Sequence, residues 1–175
     1  AVSVHSELVQ STVKDLASRV TGDTIEEKVA SACKEVANLI DYDHERLDSI
    51  KVQHIWTNYG LESVIQNKKG ICLAYAMLAQ RVLREAGVET ELVQGAITRN
   101  NGLCDDTDYH AWIRVDVNQG TGEKTKWMFA DPTWYDTCED AEQKDFYLNM
   151  SYADYMWSHR MEGYWTEDSH RCLVY

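Results

Sequence analysis

Long apolar runs and basic runs are both missing from this chain of 175 residues. No stretch approaches the roughly 18 consecutive apolar residues of a membrane-spanning helix, so we predict no membrane span. The longest basic run is the pair Lys68-Lys69, and 29 acidic against 17 basic residues give a net charge of -12. Such a charge repels nucleic acids and anionic membranes. A neutral or cationic peptide or protein is therefore the expected partner, and the oligomeric state stays open.

Closely spaced cysteine pairs are also missing. The chain has five cysteines and no CxxC pair, and the only short spacing between possible zinc ligands in its C-terminal part is that of His170 and Cys172. We therefore predict no metal and no cofactor. The chain begins with Ala rather than Met, which fits the removal of an upstream segment. We expect an extracellular or cell-surface protein, with a cytoplasmic one as the alternative; outside the cell, disulfides among Cys104, Cys138 and Cys172 are expected.

The order of the predicted elements indicates an α+β fold. Apolar residues recur at helical spacing over 3–20 and 25–40, and the pair Thr24 and Glu27 forms a capping box before the second run. The polar stretch 41–48 is predicted as a loop and 61–65 as a short helix. Strand-like runs follow at 88–98, 109–117 and 124–130, the last two joined by the hairpin sequence NQGTGE. We predict one domain over 1–175, with helices in 1–66, a core in 67–137 and an aromatic-rich segment in 138–175.

The most regular helical pattern, 72–86, begins with a cysteine. Unpaired N–H groups and the helix dipole favour negative charge at a helix N-terminus, and so favour the thiolate of Cys72. Gly70 lacks a Cβ, and we expect this to leave room for a substrate carbonyl and to let the Cys72 N–H face an oxyanion. The alternative is that Cys72 is a small buried residue without a chemical role.

A histidine and an aspartate on neighbouring predicted strands could complete a catalytic group with Cys72. His110 stands near the start of one strand, and Asp131 ends the next, where Pro132 favours an extended backbone. The hairpin centre near Gly120 is almost equally far from both residues, as an antiparallel pair requires. An imidazole can stabilise a thiolate, and a carboxylate can orient the imidazole. The alternative for His110 is a structural or solvent-facing role.

Three segments around these residues carry a family resemblance. GICLAYA, HAWIRV and DPTWYD resemble the signature segments of the transglutaminase-like superfamily, a papain-related group that uses a Cys-His-Asp triad. The stretches 24–43 and 145–160 are similar to flanking segments of bacterial members, the second ending near a histidine. Leu73-Ala74 departs from the Gln-Gly often found there. The resemblance implies a papain-like transglutaminase-core fold, with the nucleophile at a helix N-terminus packed on an antiparallel sheet.

By this resemblance Cys72 is the nucleophile, His110 the general base and then acid, and Asp131 the orienting carboxylate. The predicted enzyme transfers acyl groups through a Cys thioester, as a cysteine peptidase or amidase acting on peptides or proteins. A protein-glutamine transglutaminase, which cross-links amines or deamidates, is one alternative. A non-catalytic peptide-binding module of the same fold is another.

Further candidates concern the oxyanion and the substrate. Gln66, whose offset from Cys72 is similar to that of the papain-like glutamine, is the first candidate for a second oxyanion donor, before Tyr59 and Trp56. Ten Tyr and six Trp against two Phe suit either an aromatic core or a substrate groove, since both rings pair an apolar body with a polar group. The groove candidates lie within the three motifs: Tyr75, Trp112 and Trp134.

Overall fold

The structure is a computed structural model that describes residues 6–53, 60–98, 104–156 and 158–165. Its helices are α1 (Glu7–Arg19), α2 (Ile25–Leu39), α3 (His44–Gln53), α4 (Leu61–Asn67), α5 (Cys72–Glu85), α6 (Pro132–Thr137) and α7 (Tyr152–Met156), with a 3₁₀ turn at Lys144–Leu148. Its strands are β1 (Asp41–Tyr42), β2 (Lys69–Gly70), β3 (Glu91–Thr98), β4 (Cys104–Asp116), β5 (Trp127–Ala130) and β6 (His159–Trp165).

A four-stranded antiparallel sheet packs against the helix that Cys72 begins. The strand order is β5-β4-β3-β6. Helix α5 contacts β3 and β4, and α1 and α2 pack against α5 in turn. The core between these layers is apolar, with Leu78, Leu83 and Ile113 fully buried. The predicted α+β class is confirmed, while the extent of the single domain stays a prediction.

The first two helices begin and end close to where the periodicity predicts them. Thr24 Oγ1 accepts the Glu27 N–H, and the Glu27 carboxylate accepts the Thr24 N–H, so the predicted capping box is present. Val9, Val13 and Leu16 of α1 are buried. Within the residues that the structure describes, no helix is both long and apolar enough to cross a membrane.

The prediction of a loop over 41–48 was wrong. Asp41 and Tyr42 form β1, which pairs in parallel with β2, and α3 begins at His44. The carboxylate of Asp43 accepts the Arg46 N–H at 3.0 Å and so caps this helix. Residues 44–49 of α3 are exposed or half-buried, and a capped helix with such a face carries little apolar periodicity, which is why its sequence resembles a loop.

Gly70 serves core packing rather than substrate access. A Cβ on Gly70 would lie 2.8 Å from Cβ of Ala74 and 3.3 Å from side-chain atoms of Ile40 and Val64. The space beside Gly70 is therefore occupied by the core. This corrects the expectation that Gly70 leaves room for a substrate carbonyl; its lack of a side chain lets the turn before Cys72 lie directly on the helices.

The last strand was not predicted at all. β6 pairs with β3, with His159 opposite Ile97 and Arg160 opposite Ala96. A bulge in this pairing falls between Gln94 and Gly95. β6 is thus the edge strand beside β3, and it places His159 in the interior of the protein.

Among the cysteines that the structure describes, three are free thiols. Cys33 is buried, and Cys72 and Cys138 are partly exposed. Cys138 therefore takes no part in the disulfide bonding that was expected among Cys104, Cys138 and Cys172 outside the cell. The side chain of Cys104 and the whole of Cys172 lie outside the described residues.

Candidate active site

Cys72 is the first residue of α5, as the sequence predicts. The residue before it, Ile71, has extended backbone and no side-chain hydrogen bond to the helix. The N–H groups of the first turn therefore receive no side-chain cap, and such groups favour an anion. Cys72 is also partly exposed.

The hairpin of β4 and β5 brings His110 and Asp131 together. Ile113 pairs with Ala130, so one further step along this register places Asp131 opposite Trp112. His110 lies two residues beyond Trp112 on the same face of β4, because side chains alternate along a strand. The two residues are therefore diagonal neighbours. This differs slightly from the side-by-side placement that symmetry about Gly120 suggested.

His110 and Asp131 form a buried hydrogen-bonded pair. Nε2 of His110 lies 2.6 Å from Oδ2 of Asp131. Asp131 has extended backbone, with φ of -121° and ψ of 91°, directly before Pro132. Its other oxygen, Oδ1, accepts the Trp134 N–H at 3.0 Å and caps α6. The predicted role of Pro132 in holding this carboxylate at the strand end agrees with that backbone conformation.

The pair carries opposite charges at neutral pH. Burial by itself lowers the pKa of His110, but the charge and hydrogen bond of Asp131, together with the side chain of Cys72, raise that pKa to about 10. Burial likewise acts to raise the pKa of Asp131, yet His110 and His159 hold it well below its usual range. His110 is therefore an imidazolium beside an ionised carboxylate.

Cys72 takes part in this electrostatic group. After Asp131, the side chain of Cys72 is among the groups that raise the pKa of His110, so the two side chains lie near each other. Since Asp131 engages Nε2, Nδ1 is the ring nitrogen of His110 that does not bond to Asp131. The residues predicted in the order Cys, His, Asp thus lie on three elements that pack together, α5, β4 and the turn after β5.

A second histidine shares the same carboxylate. Nε2 of His159 lies 2.9 Å from Oδ2 of Asp131, and its Nδ1 lies 2.7 Å from Oγ of Ser158. None of the three sequence motifs contains His159. The resemblance of 145–160 to a family segment that ends near a histidine was the one signal that pointed toward it.

Distances favour hydrogen bonds over a metal in this cluster. His110, Asp131 and His159 bring ligand atoms within 4.8 Å of one another. Two ligands on one zinc, each about 2.0 to 2.1 Å from the ion, lie roughly 3.3 Å apart in tetrahedral geometry. The two N···O distances here, 2.6 and 2.9 Å, are shorter than that and are those of hydrogen bonds.

The predicted groove residues differ in what they can contact. Trp134 is partly buried and stacks on the His110 ring, with centroids 5.5 Å apart. Tyr75 and Trp112 are fully buried, and the Tyr75 hydroxyl bonds to Asp136 of α6. Neither offers surface to a substrate in this structure, so their burial supports a role in packing.

The oxyanion candidates are not brought to the site by any described contact. Gln66 is an exposed residue near the end of α4. Trp56 and Tyr59 lie outside the described residues. All three stay predictions.

These features define a mixed helical and antiparallel-sheet protein in which a histidine-aspartate pair on the sheet meets a helix that begins with cysteine. The family model described as transglutaminase-like superfamily matches residues 10–132, and the chain belongs to that superfamily. The match spans the three motifs up to Pro132. The resemblance stated from the sequence is thereby confirmed.

The known proteins that are similar to this chain include the following two. The UPF0252 protein MJ1282 of Methanocaldococcus jannaschii is 28% identical over 108 residues, which are 61% of this chain and 30% of that protein. A crystal structure of a TGase aligns with a TM-score of 0.54 at 20% identity, over 77% of this chain and 35% of that one. This chain thus spans about a third of each, and the second likeness supports the fold alone.

Proposed function

We propose that this chain is a thiol-dependent acyl-transfer enzyme, a cysteine peptidase or amidase that acts on peptide or protein amides. The observation that carries the proposal is the buried hydrogen bond between His110 and Asp131, beside the helix that Cys72 begins. The charge and hydrogen bond of Asp131 raise the pKa of His110 and so favour its imidazolium. An imidazolium and a helix N-terminus are the two features that stabilise a reactive thiolate. Membership of the superfamily agrees with such chemistry.

In the proposed reaction the Cys72 thiolate attacks the amide carbonyl, and the oxyanion forms opposite the N–H groups that begin α5. His110 then donates its Nδ1 proton to the leaving amine as the C–N bond breaks, which leaves a Cys72 thioester. In the second half, His110 accepts a proton from water as the water attacks the thioester. The acid is released, and Cys72 leaves as the thiolate beside the imidazolium. Asp131 stays ionised throughout and stabilises the charged ring.

An amine could replace water in the second half of the reaction. The same three residues would then serve a transglutaminase, which is the alternative proposal. The net charge of -12 favours a neutral or cationic substrate in either case. Incubating the chain with a peptide library, with and without a primary amine, distinguishes the two. Mass spectrometry detects cleavage if the chain is a peptidase, and amine incorporation or deamidation if it is a transglutaminase.

Competition between thiols tests whether Cys72 is a nucleophile at all. Cys138 is the matched control because it is also a free, partly exposed thiol, and it lies at the end of α6. An ordinary cysteine is only about 3% thiolate at pH 7, so a thiol held as thiolate has roughly 30 times more reactive form. The lower intrinsic nucleophilicity of a stabilised thiolate reduces the expected advantage to about 10-fold.

The assay is limiting iodoacetamide at pH 7, followed by mass spectrometry of the labelled peptides. We expect Cys72 to be labelled well before Cys138 in the wild type, and this preference to disappear in His110→Ala. Equal labelling of the two thiols, or labelling of Cys72 that is unchanged in His110→Ala, would reject the enzyme and favour a peptide-binding module of the same fold.

A further inference from the structure

His159 is a buried histidine that the proposed reaction does not use. It is the first residue of β6, and its side chain is fully enclosed. Its Nε2 lies 2.9 Å from Oδ2 of Asp131, the same oxygen that accepts from His110 at 2.6 Å. Buried polar groups are normally hydrogen-bonded, so the partners of His159 indicate the role of this ring beside the candidate active site.

The hydrogen bonds of His159 define one tautomer. A carboxylate oxygen only accepts, so the proton of His159 lies on Nε2 and is donated to Asp131. The hydroxyl of Ser158 then donates to Nδ1 at 2.7 Å. Both ring nitrogens are satisfied in the neutral form. Burial lowers the pKa of His159, and although Asp131 opposes this effect, the nearby charge of His110 adds to it.

Aromatic rings surround His159 and restrict its rotation. Trp112 meets it edge-on with centroids 4.7 Å apart, Trp134 lies at 4.6 Å, and Tyr155 stacks on it at 5.4 Å. Pairing of β6 with β3 fixes the backbone of His159 opposite Ile97. The position of the Nε2 donor is therefore set by packing before any substrate binds.

Asp131 consequently accepts three N–H groups from three directions. Trp134 donates to Oδ1, and the two imidazoles donate to Oδ2. Without His159, the carboxylate would retain one bond on each oxygen and could rotate with the His110 ring. With it, the plane of the carboxylate is held by donors from α6, β4 and β6.

We infer that His159 is a positioning residue for the candidate active site: its neutral imidazole donates to Oδ2 of Asp131 and fixes the carboxylate that orients His110 toward Cys72. This inference rests on the proposed function, because the orientation matters only if His110 exchanges protons with Cys72. It gives a role to His159, the buried histidine near the end of the 145–160 segment.

A pair of substitutions tests the inference. His159→Leu removes the donor, and we expect kcat to fall by about 10- to 100-fold with little change in KM, since misplacement by about 1 Å can cost on the order of 10²-fold. His159→Gln loses the same aromatic ring but keeps an N–H group that can reach Asp131. We expect it to recover most of the lost rate. Thermal melts of both variants show whether each remains folded.

Two results would overturn the inference: wild-type kcat in His159→Leu, or equal loss in His159→Leu and His159→Gln when both are folded. Histidine ¹⁵N NMR of the wild type gives a second test that needs no variant and no substrate. We expect a neutral His159 with its proton on Nε2, beside a charged His110. A charged His159, or a proton on Nδ1, would equally overturn it.

These measurements separate the inference from the proposed function. If the wild type turns over amides and His159→Leu does so equally well, only the role of His159 fails. If the wild type shows neither turnover nor selective labelling of Cys72, the proposed function fails, and a role in positioning catalysis fails with it. The NMR signature would still decide whether the hydrogen bond to Asp131 exists.

Discussion

Asp131→Asn replaces one carboxylate oxygen by an NH₂ group and leaves the shape of the side chain nearly unchanged. In the wild type, Oδ1 accepts the Trp134 N–H at 3.0 Å, and Oδ2 accepts from His110 and His159. Asn is itself a favoured N-cap, so its oxygen can keep the bond to Trp134. The NH₂ group then faces both Nε2 atoms. Each of these nitrogens must become an acceptor, which moves the ring proton to Nδ1.

This tautomer prevents the proposed chemistry. His110 would hold its proton on Nδ1, the nitrogen left for Cys72, and a neutral ring in that form cannot accept another proton there. The variant also loses the charge that raises the pKa of His110 to about 10, so the imidazolium is lost near neutral pH. We expect kcat to fall on the order of 10⁴-fold, the effect of the equivalent tautomer error in a serine protease triad.

The assay measures turnover of an amide substrate identified from the peptide library, together with the rate of Cys72 alkylation at pH 7. Asp136→Asn is the matched control, because Asp136 also lies in α6 but accepts the Tyr75 hydroxyl at 2.5 Å. An amide oxygen can accept that hydroxyl equally well, so we expect a rate close to that of the wild type. Wild-type kcat and alkylation in Asp131→Asn would refute the assigned role of the carboxylate.

Two further predictions concern pH and the bulge in the sheet. The folded pKa of His110 lies above its ordinary value of 6.5, so the pair with Asp131 stabilises the fold fully below about pH 6.5 and loses this contribution as pH rises toward 10. Chemical denaturation from pH 6 to 10 should show this loss in the wild type and not in Asp131→Asn; parallel curves would contradict it. In Gly95→Ala the new Cβ would lie 1.9 Å from the backbone oxygen of Arg160, which cannot yield without moving β6. We expect a loss of about 1 to 3 kcal/mol and slower alkylation of Cys72. Gly120→Ala is the control: its φ is 76°, which strains an alanine, but the new Cβ would meet no atom within 4 Å beyond its chain neighbours. Stability should fall in this variant while alkylation of Cys72 stays unchanged; an equal slowing of alkylation in both variants would refute the link between the bulge and Cys72.

The helices and the central hairpin could be predicted because their signals are local. The capping box of Thr24 and Glu27 joins residues three apart, and the hairpin of β4 and β5 closes over a short turn. Helix α3 was missed because a polar, capped helix lacks the apolar repeat on which the prediction depends. Strand β6 was also missed. Its partner β3 lies more than 60 residues earlier in the chain, and periodicity reports only on residues that are close in sequence.

The sequence by itself determined roughly where the three residues of the proposed chemistry stand in the fold. Cys72 begins a periodic helix, and His110 and Asp131 stand near the two open ends of one hairpin. Helix-start and hairpin signals are local in the sequence, so they suffice to place these residues. The tertiary structure decided what depends on segments distant in the chain: the burial of Tyr75 and Trp112, the core packed against Gly70, and the arrival of His159 at Asp131. Burial and hydrogen bonding across strands set the charge of His110, because desolvation and the neighbouring carboxylate exist only once β3, β4, β5 and β6 have assembled.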